Sequence, residues 1–158
     1  VAVSLTLNAC GGDGTQGRHS STATAPQTET TGNDTTESTS QMKIRLTVGQ
    51  TVLQAVLTDN ATTRDLVSLL PLTLRMSDLF GRERYGHLTR TLAAGGPRQH
   101  SFEVGDIAYW PPGPDIAIFY NDDGPSIPNP GITVLGKIGS GVEVLKSYAG
   151  SITIDLVD

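Results

Sequence analysis

The residues with the greatest chemical reach stand in two short stretches. Between residues 82 and 100, Arg82, Arg84, His87, Arg90, Arg98 and His100 face a single acid, Glu83, and make the only local basic excess in the chain. Such a cluster suits an anionic ligand, and it suits equally well a solvated loop whose charge the rest of the domain balances. The second stretch is Tyr109-Trp110-Pro111-Pro112. Its tryptophan, the only one in the chain, stands with Tyr85, Phe119 and Tyr120 as a possible aromatic lining for a binding pocket. The plainer reading is that Trp110 caps a core and the prolines end a strand. The candidate ligand-binding residues are therefore Arg82, Arg84, Tyr85, His87, Tyr109, Trp110 and Pro112.

Other chemistries find no support. The single cysteine, Cys10, excludes an intrachain disulfide and a cysteine-based zinc site. His87 and His100 lack acids or thiols at ligand spacing, so no metal and no cofactor is expected. Gly139-Ser140-Gly141 has neither the length nor the lysine of a phosphate loop, and Asn121-Asp122-Asp123-Gly124 fits a turn better than a calcium loop. Net charge is −5: −3 over residues 1–41 (Arg18 against Asp13, Glu29, Asp34 and Glu37) and −2 over the rest. Neither part carries the basic surplus of a nucleic-acid binder.

The elements that must position these groups begin late in the chain. Residues 11–41, GGDGTQGRHSSTATAPQTETTGNDTTESTSQ, contain only Ala23 and Ala25 as apolar residues, too little burial to offset the entropy of ordering a backbone. They read as a disordered Ser/Thr-rich linker. Residues 42–158 then supply about 117 residues of Val, Ile, Leu and Thr runs punctuated by Gly and Pro, enough for one core. Met42 to Val48 alternates as a half-buried strand, Gly49-Gln50 turns, and Thr51 to Leu57 returns as a hairpin partner. Thr58, Asp59 and Asn60 are candidate caps for a short helix over residues 61–70, stopped by Pro71. Leu72, Leu74 and Met76 alternate in a third strand, and further strands are expected at 106–110, 115–120, 132–138 and 151–157, with residues 82–100 left as a loop. Many short strands with Gly/Pro turns describe an all-β sandwich or barrel. A closed barrel is preferable, because IAIFY and ITVLGKI would be adhesive as exposed edges.

In the strand 106–110, Ile107 and Tyr109 share one face while Ala108 and Trp110 share the other. Only one of these faces can enter a narrow barrel, so one large aromatic must lie outside it. The sequence leaves open which.

Three segments, KIRLTVGQTVLQAVLTDNATTRDLVSLLP, VGDIAYWPPGPDIAIFYNDDG and PGITVLGKI, together resemble the bacterial cyclophilin-like domain family. The resemblance covers residues 42–158 in order and implies a compact closed barrel related to cyclophilins. It does not by itself imply a function. A prolyl isomerase needs an apolar pocket for the proline ring and a donor, usually Arg, to the imide nitrogen. True cyclophilins carry this on a Phe-His-Arg motif followed by a Gln-Gly-containing stretch, and neither stands here. Phe80-Gly81-Arg82-Glu83-Arg84-Tyr85-Gly86-His87 has the residue types without the spacing, so no catalytic residue is carried over.

The N-terminus bears a second resemblance. Val1 to Leu7 is apolar apart from Ser and Thr, and Leu7-Asn8-Ala9-Cys10 is similar to the end of a bacterial lipoprotein signal peptide, although Asn8 is bulkier than usual there. Residues 1–10 then read as a signal remnant with Cys10 as the lipid attachment site, and the linker would hold the domain roughly 30 Å from the outer face of the cell membrane. The alternative is a mis-assigned start and a cytoplasmic protein. The functional expectation is a non-enzymatic binding domain for a small molecule or extended peptide, with a divergent isomerase using Arg82, Arg84 or Arg90 as the alternative.

Overall fold

The computed structural model describes residues 41–157. The expected signal remnant, Cys10 and all of the linker except Gln41 lie outside the described residues. The chain opens on the hairpin its alternation dictates: β1, Lys43–Val48, pairs antiparallel with β2, Thr51–Leu57, across Gly49, whose φ of 61° supplies the reversal. Ile44, Leu46 and Val48 point inward and are buried, as are Leu53, Ala55 and Leu57 opposite. The helix α1, Ala61–Val67, starts where the Asn60 side chain accepts the Thr63 N–H at 2.9 Å. It is three residues shorter than expected. The Leu69 and Leu70 N–H groups donate to Leu66 and Val67, three residues back, so the last turn tightens before Pro71.

The remaining strands are β3 (Leu72–Arg75), β4 (Ser77–Leu79), β5 (Glu83–His87), β6 (Asp106–Trp110), β7 (Asp115–Phe119), β8 (Thr133–Ile138) and β9 (Ser151–Val157), with a 3-10 helix at Val142–Lys146. They form one sheet in the order β3-β9-β1-β2-β8-β6-β7-β5-β4, every pairing antiparallel. The two outermost strands are consecutive in the chain, separated only by Met76. One extended segment thus pairs with β9 through its first half and with β5 through its second, and it nearly closes the sheet into a barrel. The start of the expected loop at 82–100 is instead the strand β5. Closure packs that strand against β3 at Gly86, where an added Cβ would lie 3.0 Å from Leu74 Cβ and 3.2 Å from the Arg75 carbonyl oxygen.

Strand alternation then separates two apolar groups. Ile107, Tyr109, Ile116 and Ile118 join the hairpin residues, Leu66, Leu135 and Leu145 in the barrel interior. Ala108, Ala117 and Phe119 point the other way and pack with Ile127 and Ile132 on the outer wall, flanked by Tyr85, Phe102 and Trp110. Between Ile107 and Ala108 the pairing with β8 slips by one residue, a bulge that accommodates the fully buried Leu135.

Candidate functional site

The outer wall of β5, β7 and β6 carries the site. Residues 83, 85, 115, 117 and 119 face outward from two paired strands, and Trp110 closes one end. Ala117 is the small residue at the centre, and its short side chain leaves a hollow of about 270 Å³ between Tyr85, Trp110 and Phe119. Ile127, Pro128 and Ile132 wall one side, and Phe80 and Arg82, from the β4–β5 turn, wall another.

Arg82 is the chemically distinctive group. It is only 6% exposed, and its guanidinium carbon lies 5.3, 5.7 and 5.9 Å from the ring centres of Phe102, Phe80 and Phe119. Phe102 and Phe119 are themselves stacked at 4.1 Å. Among the described residues the Arg82 Nε–H has no hydrogen-bond acceptor. Glu83 Oε2 at 3.4 Å and Asp123 Oδ1 at 3.7 Å balance its charge without aligned hydrogen bonds. Burial pushes the Glu83 carboxyl above its ordinary value, and the neighbouring Arg82 charge only partly opposes this. Burial also raises the Asp115 carboxyl, opposed by His87, whose Nδ1 contacts it from an exposed position. The site is therefore an aromatic hollow with, at one end, a cationic donor lacking an acceptor among the described residues, and two carboxyls that burial shifts upward.

This raises a testable pH effect. The folded protein holds the Glu83 proton more tightly than the unfolded chain, whose ordinary value is 4.5. Between that pH and the raised folded value the native state binds more protons, so the contribution of this group to stability falls as pH rises. The neutral isostere Glu83→Gln is expected to remove that decline, gaining on the wild type at pH 7 relative to pH 4.5 in urea midpoints. Parallel pH curves for the two proteins would overturn the assignment of Glu83 as a burial-shifted acid. Asp65 and Asp78 are shifted the opposite way by hydrogen bonds, from Arg90 and from Tyr120 respectively, and their share is lost as pH falls below about 4.

The expected binding residues divide. Arg82, Tyr85 and Trp110 line the hollow, with Trp110 half-buried. His87 stands at its rim, edge-on to Tyr85 with ring centres 5.7 Å apart. Arg84 does not reach it. Its side chain passes inward, donating from Nε to the Leu145 carbonyl at 2.8 Å and from Nη2 to the Lys146 carbonyl at 3.1 Å, so it caps the 3-10 helix. Tyr109 is an interior residue whose hydroxyl accepts the Leu92 N–H at 3.0 Å. Pro112 is exposed in the β6–β7 turn, away from the lining. Arg90 forks onto Asp65 at 2.6 and 2.8 Å and ties residues 90–93 to the helix. Phe119, named with Tyr85 as a possible aromatic lining, is part of the hollow, whereas sequence reading missed Phe80, Glu83, Asp115 and Ile127 as lining residues. Once Tyr85 is assigned to a strand, alternation alone puts Glu83 beside it.

A broader, open groove of about 1140 Å³ passes Met42, Val56, Phe102 and Lys137. Its charges are internally paired, Lys137 with Glu103 and Asp106, and Arg64 with Asp59, so it offers no comparable unsatisfied group.

An all-antiparallel, nearly closed barrel with an aromatic hollow on its outer wall defines the class, a small cyclophilin-type β-barrel domain. The sequence model of the cyclophilin-like family matches residues 46–157, and the chain belongs to that family. The fold is similar to the solution structure of a hypothetical protein from Archaeoglobus fulgidus, with a TM-score of 0.57 and 23% identity, over 73% of this chain and 94% of that one. No curated protein matches the sequence.

Proposed function

We propose that this cyclophilin-like domain is a binding module that takes an extended peptide or a small carbonyl-bearing molecule in the outer-wall hollow. The observation that carries the reading is the buried Arg82 guanidinium, which lies among aromatic rings and whose Nε–H has no hydrogen-bond acceptor among the described residues. A donor buried without an acceptor costs about 1–3 kcal/mol, so a ligand carbonyl arriving there recovers what the free protein lacks. The apolar walls supply the remaining affinity.

Trp110 lines the hollow and is the only tryptophan, so its fluorescence reports occupancy. A blocked Ala-Ala-Pro-Phe peptide is expected to shift that emission saturably. Arg82→Met, which keeps the stacked bulk and removes the donors, should weaken the peptide at least about tenfold, equivalent to the 1.4 kcal/mol that one recovered hydrogen bond supplies. Unaltered affinity in the variant would sink the reading.

A second reading is favoured by the same Arg82 placement. An arginine donor in an apolar concavity beside Phe and Trp is the minimal apparatus for easing rotation about an imide bond. The same peptide decides it, since catalysis shows as accelerated cis–trans exchange in its NMR spectrum at substoichiometric protein. Binding without acceleration leaves the module non-enzymatic.

A further inference from the structure

The turn that joins β4 to β5 is built against its own preferences. Its central residues are Phe80, φ 58°, and Gly81, φ 64°, and the Arg82 N–H closes it onto the Leu79 carbonyl at 3.1 Å. Positive φ at both centres is the I′ geometry of a tight hairpin, in which Asn, Asp or Gly normally stands first. A phenylalanine there brings its Cβ too close to the following carbonyl, and no local hydrogen bond from its side chain compensates. The ring gains little burial in return, for Phe80 is 78% exposed and is the most exposed large apolar residue among those described. Its ring walls the hollow, with the Arg82 guanidinium 5.7 Å from its ring centre.

We propose that Phe80 is a ligand-contacting residue of the outer-wall hollow, retained in an unfavourable turn position because its ring packs on an extended peptide whose one apolar side chain fills the hollow. The inference rests on the binding reading above and narrows its ligand. At about 270 Å³ the hollow is smaller than the roughly 300–1,000 Å³ of pockets that enclose drug-sized molecules. A hollow of that size suits one side chain, and the rest of the bound molecule must run across the rim, where Phe80 stands beside the buried Arg82 guanidinium. Strain held at an exposed aromatic beside an unsatisfied buried donor is the pattern of a surface shaped for its occupant rather than for folding.

Three variants test this with the blocked Ala-Ala-Pro-Phe peptide, read by Trp110 emission and by thermal unfolding. Phe80→Asn, which suits the turn, is expected to raise the thermal midpoint by about 3 °C and to weaken the peptide about fivefold or more. Phe80→Gly should behave in the same way. Phe80→Leu keeps both the strain and the apolar bulk, and should bind within about threefold of wild type with no gain in midpoint. Retained affinity in Phe80→Asn, or a lowered midpoint, overturns the role of Phe80 and leaves the binding reading standing. No emission change in the wild type overturns both together. A wild-type dimer in sedimentation that Phe80→Asn dissociates assigns the ring to a second copy of this chain and likewise overturns the proposal.

Discussion

Arg84→Ala is expected to destabilise the domain by about 3–4 kcal/mol while leaving the outer-wall hollow intact. The side chain is buried, and its fork serves two successive carbonyls at the end of the 3-10 helix, Leu145 at 2.8 Å and Lys146 at 3.1 Å. The remaining charge lies 3.4 Å from Asp78, and the guanidinium sits over the Tyr120 ring at 5.7 Å. Truncation strands both carbonyls and loosens Leu145, which is fully buried in the barrel interior. Arg84→Lys should recover only part of the loss, because an ammonium cannot reproduce a planar fork that bridges two carbonyls. Urea unfolding measures both variants. A loss under about 1 kcal/mol for Arg84→Ala would mean that solvent replaces the cap and that the helix end does not depend on it. Arg82→Met provides the contrast: of two arginines two residues apart, Arg84 is expected to act on stability and Arg82 on the proposed binding.

Gly136→Ala is expected to cost about 2–3 kcal/mol, a large penalty for a single methyl group. The added Cβ would lie 2.6 Å from the Val56 carbonyl oxygen, 2.9 Å from Leu57 Cδ2 and 3.1 Å from Leu57 Cα. Two of these three neighbours are backbone atoms of the paired strand, so the strand itself must move. That movement would disrupt a short seam, since β2 and β8 share only three residue pairs, Ala55–Ile138, Val56–Lys137 and Leu57–Gly136. The next pair on the other side of β8, Ile107 with Gly136, borders the bulge. Thermal unfolding monitored by far-ultraviolet dichroism would detect the loss. A midpoint unchanged from wild type would show that the β2–β8 seam is looser than its contacts imply.

Much of the barrel was legible because its strands obey a simple rule. Met42 to Leu57 alternates around a Gly-containing turn, and the structure pairs the two halves residue for residue from Lys43–Val56 to Val48–Thr51. The alternation in 106–110 separated Ile107 and Tyr109 from Ala108 and Trp110, and the first pair is the interior one. β5 was not legible, for a physical reason. Its two inward residues are Arg84, turned in to cap a helix end, and Gly86, where closure leaves no room for a side chain. A strand whose core face reads Arg-x-Gly carries no apolar period to detect. With β5 read as a loop, Glu83 could not be aligned with Tyr85 or set opposite Phe119, and the hollow had no floor. Alternation put Tyr109 and Trp110 on opposite faces without showing which was inward, and Tyr109 serves the interior and Trp110 the wall.

The segment from Leu72 to Leu79 is the seam of the cylinder, since it supplies both ends of the strand order. A cut at Met76 would leave every other connection in place and yet turn the barrel into an open sheet with two bare strand edges. Closure of the sheet then depends on one stretch of unbroken backbone. New chain ends introduced there by permutation should yield a protein that sticks to its own kind, whereas ends placed in the β6–β7 turn should not.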